Sequence, residues 1–255
     1  MTTTTDKTGK IAMVTGGSAG IGLASARALA EQGYTVIITG RNGERLKSAL
    51  AEMPAGKVHA IAADVTDPAA VDRLFSEVEQ RFGRLDVLFN NAGMNVKPDS
   101  VEDITFEDWQ TILQTNVTGV FLCLQAAVRL MKKQTPRGGR IINNGSVSAS
   151  VPRYFAVPYT ATKHAVTGIT KAASLDCREF DIAVCQIDIG NAATKMTTRM
   201  GTTGALQADG SVKQEPTMDV ENVAATICYM AGLPLEANPL FLTVLATKMP
   251  FSGRG

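Results

Sequence analysis

Thr15-Gly16-Gly17-Ser18-Ala19-Gly20-Ile21-Gly22 follows an apolar run at 10–15 and opens a helical pattern at 21–32. Glycines take positive φ and let a phosphate approach the backbone closely. The unpaired N–H groups of a helix start then favour an anion there. Three glycines alone are a weak signal, equally served by a tight strand-to-helix turn. Their place after the first strand and at the head of a helix points to dinucleotide binding by Gly16, Ser18, Gly20, Ile21 and Gly22.

Outward from this turn, strand-length apolar runs alternate with longer helical patterns. Strands are predicted at 10–15, 34–39, 57–62, 85–89, 140–144, 182–189 and 241–246. Helices are predicted at 21–32, 43–52, 68–81, 106–133, 159–180 and 220–231. Runs such as Val36-Ile37-Ile38 and Val87-Leu88-Phe89 are continuous, as strands covered on both faces require. Asp67-Pro68 and Asp219 mark helix starts. The pattern predicts an α/β chain with one Rossmann-like domain over 10–255, a doubly wound parallel sheet of about seven strands with helices on both faces. Residues 1–9, Thr-rich and aperiodic, read as a flexible N-terminal tail. Residues 190–217 break the rhythm and read as a substrate-binding loop, either a lid or disordered.

Composition narrows the function classes. The 255 residues carry 25 basic and 24 acidic side chains, a balance that argues against nucleic-acid or anionic-membrane binding. No apolar run approaches the roughly 18–20 residues that span a bilayer, and the N-terminus lacks the apolar stretch of a secretory signal. The four cysteines form no C-x-x-C pair and the chain has two histidines, so no metal site is expected. Free, buried thiols in a reducing cytoplasmic compartment are the plain reading.

The second strand closes as Ile37-Ile38-Thr39-Gly40-Arg41-Asn42. A carboxylate at that end would hold a ribose 2′-hydroxyl and signal NAD. None is there. Arg41 follows at once and can grip a 2′-phosphate through paired, charge-assisted hydrogen bonds, the alternative being a solvated residue at a helix start. The expected cofactor is therefore NADP(H) rather than NAD(H).

Further motifs follow in order. Asn90-Asn91-Ala92-Gly93 succeeds the fourth strand, Asn116 lies mid-helix in Gln114-Thr115-Asn116-Val117-Thr118-Gly119, and Ser146 ends the fifth strand. Tyr159-Thr160-Ala161-Thr162-Lys163 comes thirteen positions after Ser146. Together with the glycine turn this resembles the short-chain dehydrogenase/reductase family, from residue 10 to about 246. The resemblance implies a catalytic tetrad of Asn116, Ser146, Tyr159 and Lys163. The chemistry agrees: a carbonyl that accepts hydride builds negative charge on oxygen and needs a proton donor and a second hydrogen bond. Tyr159 would donate, and Ser146 would polarise. Lys163, one turn along the same helix face, puts positive charge near the phenol and favours phenolate.

The resemblance also implies that Lys163, beside Tyr159, holds the nicotinamide ribose, and that Asn116 holds a water linking Lys163 to solvent. Asp64 and Val65 resemble a pair that contacts adenine, with Asp64 as a turn cap the alternative. Asn91, Ala92 and Gly93 resemble the segment beside the cofactor. Gly190-Asn191-Ala192-Ala193-Thr194 resembles a Pro-Gly-x-x-x-Thr segment whose Thr binds the nicotinamide amide. Ile189 stands where Pro is usual, and the ending from Ala246 to Gly255 departs from the family pattern.

Met94, Val96, Phe155, Met196, Met200 and Leu206 suggest an apolar, adaptable pocket, with ordinary core packing the alternative. Arg153 and Lys195 read as solvated charges, the alternative being contact with an anionic substrate, and His164 and Trp109 as packing residues. Three functions follow. The first is an NADP(H)-dependent reductase or dehydrogenase of a carbonyl or alcohol. The second is a 3-oxoacyl-thioester reductase, which needs a basic rim for its carrier; Arg129, Lys132, Lys133 and Arg137 are basic but lie on the far part of a long helix. The third is a non-catalytic NADP(H) sensor, which would have no need of Tyr159 and Lys163. The helices at 106–133 and 159–180 carry Ile112, Val117, Phe121, Leu124, Ile169 and Leu175 on more than one face, which predicts a homotetramer or a dimer.

Overall fold

The computed structural model describes residues 9–251; the expected tail falls almost wholly outside them. Nine strands occur in chain order: β1 (Ile11–Thr15), β2 (Thr35–Gly40), β3 (Val58–Ala62), β4 (Val87–Asn90), β5 (Gly139–Asn144), β6 (Ile182–Ile189), β7 (Ala205–Leu206), β8 (Val212–Lys213) and β9 (Phe241–Val244). All but β7 and β8 form one sheet in the order β3-β2-β1-β4-β5-β6-β9. Every pairing in it is parallel. The chain runs outward from β1 to β3, then crosses back to lay β4 against β1. That reversal opens a crevice at the carboxyl ends of β1 and β4, where open α/β sheets bind their ligands.

The helices are α1 (Gly20–Glu31), α2 (Gly43–Leu50), α3 (Pro68–Phe82), α4 (Phe106–Leu113), α5 (Gly119–Lys133), α6 (Val157–Asp176), α7 (Thr198–Thr202) and α8 (Val220–Gly232). Strand side chains alternate between two cores, as a period of two demands. Met13, Ile37, Leu88 and Ile141 meet Val71, Leu74, Cys123 and Leu130 of α3 and α5 on one face. Val14, Val36, Phe89 and Ile142 meet Leu29, Leu46, Val223 and Ile227 of α1, α2 and α8 on the other. Both layers being full, the strands are largely apolar, with Arg140, Asn143 and Gln186 among the buried polar exceptions. All four cysteines are buried and free, and burial pushes Cys123 and Cys228 up to about 12.

Some boundaries differ from the sequence reading. Helix α6 begins two residues early because Pro158 fits its first turn, where no N–H is needed. It ends at Asp176, and Asp181, at φ +56, turns the chain into β6. The stretch Phe106–Lys133 is long and apolar enough, at a mean hydropathy of 1.4, to cross a bilayer by length and composition. This corrects the expectation that no such run exists. Its apolarity has another use here: Cys123, Leu124, Ala127, Leu130 and Met131 are buried in the core.

Candidate active site

The glycine turn lies at the crevice. Gly16 and Gly20 stand at φ +64 and +53, where a side chain would be strained. At Gly22 the constraint is space, because a Cβ would collide with the Gly16 carbonyl oxygen and lie 2.5 Å from Asn91 Nδ2. Helix α1 starts on Ala19, which offers no capping side chain. By contrast α2, α3, α4 and α8 are capped by Asn42, Asp67, Thr105 and Asp219. The first N–H groups of α1 thus have no side-chain acceptor, and Gly20, Ile21 and Gly22 line a cavity of about 370 Å³. This fits a pyrophosphate.

A second cavity, of about 270 Å³, is lined by Ser18, Arg41, Arg45, Asp64 and Val65. Gly16, Ala92, Gly93 and Met94 border both, so the two are successive parts of one groove. Arg45 escaped the sequence reading. It lies one helical turn beyond Arg41 across the cap Asn42, and that i,i+4 spacing was the available signal. Neither guanidinium pairs with a carboxylate among the described residues. The Asp64 carboxylate accepts from Thr66 N (2.9 Å) and Thr66 Oγ1 (2.8 Å), so it closes a turn while bordering the groove.

At the other end, hydrogen bonds stitch three strand ends together. Thr15 Oγ1 accepts from the N–H groups of Asn91 and Ala92, each at 2.9 Å. Asn91 Nδ2 donates to the Thr15 carbonyl (2.9 Å), and Asn144 Nδ2 donates to Asn91 Oδ1 (3.0 Å). Lys163 Nζ donates to the Asn144 carbonyl at 2.8 Å and lies 5.4 Å from the centre of the Tyr159 ring. Tyr159, Lys163, Asn116 and Thr194 all line the larger cavity.

Two expected site residues are committed in ways the sequence does not display. Asn116 occupies a π-helical turn, Gln114–Thr118. Its Oδ1 accepts from Met94 N (2.8 Å), and its Nδ2 donates to the Met94 carbonyl (2.9 Å). Its side chain therefore braces the Met94 backbone, with Nδ2 also donating to Thr162 Oγ1 at 3.3 Å. Ser146 is 5% exposed and is not among the lining residues, although Asn144 and Gly145 are. Its Oγ accepts from Ser148 N at 3.1 Å, which leaves the hydroxyl proton to be donated.

The segment 190–217 has structure of its own. It carries α7 and the antiparallel β7–β8 pair, and Glu215 ties it down. The Arg153 guanidinium donates to both Glu215 oxygens (3.0 and 2.7 Å) and to Asn191 Oδ1 (2.8 Å). Asn191 Nδ2 and Gln207 Nε2 also donate to Glu215, at 2.8 and 3.0 Å. Burial works to raise the Glu215 carboxyl, but these hydrogen bonds and the Arg153 charge hold it down at about 2. Arg153 is thus a half-buried clamp, which corrects its reading as a solvated charge.

Lys195 is exposed, as expected of a solvated charge, and also borders the larger cavity. Other expectations need correction. His164 is exposed, with Nδ1 at 2.9 Å from the Thr160 carbonyl, rather than packed. Of the six proposed pocket residues, Met94 and Met196 line the cavity; the Met200 side chain lies outside the described residues. Phe155 instead packs edge-on to Tyr154 with ring centres 4.7 Å apart. Ile189, standing where Pro is usual, is the last residue of β6 and pairs with Val244 of β9. The unusual ending packs Met249 against Val147, the neighbour of Ser146.

Fold and groove together place the chain among oxidoreductases acting on CH–OH or carbonyl groups. A family model described as short chain dehydrogenase matches residues 10–204, and the chain belongs to that family. It is 34% identical over 246 residues to a 3beta-hydroxysteroid dehydrogenase of Mediterraneibacter gnavus, covering 88% of each chain. It is 35% identical over 234 residues to a 3-oxoacyl-[acyl-carrier-protein] reductase of Synechocystis, covering 90% of this chain and 92% of the other. Among solved structures, a variant of actinorhodin polyketide ketoreductase with NADPH superposes with a TM-score of 0.83. It is 27% identical, with 94% of this chain and 97% of the other covered.

Proposed function

We propose that the protein is an NADP(H)-dependent carbonyl reductase or alcohol dehydrogenase with a small to medium, mainly apolar substrate. One observation carries this reading: Tyr159 and Lys163, on one face of α6, border a groove whose far end holds Arg41 and Arg45. The bound nicotinamide supplies or takes the hydride. The chain's own residues do the rest. The uncapped start of α1 holds the pyrophosphate, and Arg41 and Arg45 hold the 2′-phosphate. Asp64 and Val65 border the adenine, and Asn91, Ala92, Gly93 and Thr194 border the nicotinamide half. Tyr159 Oη donates the proton to the carbonyl oxygen, Ser146 donates a second hydrogen bond, and Lys163 replenishes the proton through solvent at the π-turn of Asn116.

NADPH oxidation against a panel of ketones, aldehydes, quinones and acetoacetyl thioesters tests the reading; silence across the whole panel would refute it. The thioester alternative loses support from its carrier surface. Lys133 pairs with Glu79 at 2.8 Å, Arg129 lies 4.0 Å from Asp72, and Lys132 sits over the Phe180 ring at 3.6 Å. A pure sensor would gain nothing from Tyr159 beside Lys163.

Cofactor choice gives an expected result. NADPH should bind at least about 10-fold more tightly than NADH, a difference of about 1.4 kcal/mol. Arg41→Ala should weaken NADPH far more than NADH, and Arg45→Ala should deepen that loss. Fluorescence titration measures both, and equal affinities would rule out the 2′-phosphate assignment.

The third element of the proposal is assembly as a homotetramer, with a dimer the simpler closed form. Ile112 and Leu124 are buried within the subunit, so they do not contribute to it. Phe121 and Leu175 remain 45% and 62% exposed on α5 and α6, and apolar helix faces of this kind are covered by association. Light scattering at micromolar concentration should give a multiple of 27.0 kDa. A fully active monomer would contradict it.

A further inference from the structure

A carboxylate lies directly behind this site. Asp188, near the end of β6, interrupts the run Ile187-Asp188-Ile189. Its Oδ1 accepts from Ser146 N at 3.0 Å and from Gln186 Nε2 at 2.7 Å. Both partners are donors, which suits the ionised form. Gln186 is itself oriented from α6: its Nε2 donates to Thr167 Oγ1 (3.0 Å), and its Oε1 accepts from Thr170 Oγ1 (3.1 Å). Lys163, Thr167 and Thr170 share one face of that helix. The polar chain therefore runs from the helix face that carries Lys163, through Gln186 and Asp188, to the backbone of Ser146.

Gly145 completes the arrangement. A Cβ there would collide with Asp188 Oδ1 and lie 2.6 Å from Gln186 Nε2. Gly145, Gln186 and Asp188 are thus fitted to one another. Burial raises the Asp188 carboxyl above its ordinary value, opposed by the Gln186 and Ser146 hydrogen bonds and by the positive charge of Lys163. The turn after β5 and strand β9 bring no titratable side chain to it. Helix α6 brings Lys163, with Tyr159 one turn earlier, while His164 is exposed.

We propose that Asp188 is a positioning residue that fixes the backbone of Ser146 and sets a negative charge near Lys163, opposing the effect of that ammonium on the neighbouring Tyr159 phenol and favouring carbonyl reduction. The physical argument is one of sign. A carboxylate near the phenol opposes phenolate, whereas Lys163 favours it. The protonated phenol is the state that donates to a carbonyl oxygen. This rests on Tyr159 as the proton donor.

The test is an ultraviolet titration of tyrosine in the intact protein without substrate, with Tyr159→Phe subtracted to isolate one phenol of the four. Asp188→Asn keeps an oxygen for Ser146 N and removes the charge. The midpoint of Tyr159 phenolate formation should then fall, because Lys163 acts on the phenol without an opposing charge. The alkaline limb of kcat for carbonyl reduction should move down with it. An unchanged midpoint overturns the proposal, and so does a rate loss equal at every pH, the mark of a merely structural role. If Asp188→Asn does not fold, Asp188→Ser, which keeps a shorter oxygen acceptor, gives the same reading, and an unmoved midpoint there is equally fatal. A shifted midpoint with no turnover of any carbonyl would fault the assigned substrate class and leave the placement of Asp188 standing.

Discussion

Tyr159→Phe should leave NADPH affinity nearly unchanged while lowering kcat by about 10²–10⁴-fold, the usual worth of positioned acid–base help. The substitution removes one oxygen and leaves the ring. Lys163 keeps its 2.8 Å hydrogen bond to the Asn144 carbonyl, so the cofactor half of the groove stays intact. Steady-state kinetics with NADPH and the best substrate of the panel, beside a binding titration, separates the two effects. Near-normal turnover would move the proton donor elsewhere. Lys163→Ala should instead damage binding and rate together, because that side chain serves both.

Glu215→Gln should produce the largest loss of stability. The Arg153 side chain is 16% exposed and that of Glu215 1%, so the substitution leaves a half-buried guanidinium without its counter-charge, at a cost of about 3–5 kcal/mol. The pH dependence has a definite sign. The carboxyl is depressed from 4.5 to about 2 on folding. Its contribution, about 3 kcal/mol by linkage, is therefore fully present above about 4.5 and lost as pH falls through about 2. Urea unfolding at neutral pH and near pH 3 should show the gap between parent and variant narrowing on acidification. A gap that stays constant would mean the ion pair contributes no such energy. Because Asn191 lines the cavity and shares this clamp, KM for the substrate should rise more than kcat falls.

What could be read without coordinates, and what could not, follows the range of the interactions. Val36-Ile37-Ile38 announces a strand covered on both faces because alternation into two cores makes every position apolar. Thr15 to Gly22 announces an anion-binding turn because the strained φ values of Gly16 and Gly20 and the missing cap at Ala19 are local properties of the chain. Tyr159 and Lys163 are paired by one turn of helix, and Arg41 is exposed by the absence of a carboxylate beside it.

The remaining features depend on segments that periodicity cannot bring together. Arg153 and Glu215 are 62 positions apart, so neither shows its partner in the sequence, and each alone looks like solvated charge. Asn116 reads as a water-holding side chain until Met94, 22 positions away, claims both ends of its amide. Gly145 looks like an ordinary glycine and Asp188 like a flaw in a strand. Only the parallel pairing of β5 with β6 sets one in the space that the other leaves. The main strands and helices, the sheet class, the glycine turn and the Tyr159–Lys163 pair were legible in the sequence because short-range geometry encodes each of them, whereas α7, the β7–β8 pair and the π-turn at Asn116 were not. Tertiary structure alone decided which polar groups are held, buried or left open to a ligand, because burial and hydrogen bonding belong to the packed chain and not to any segment of it.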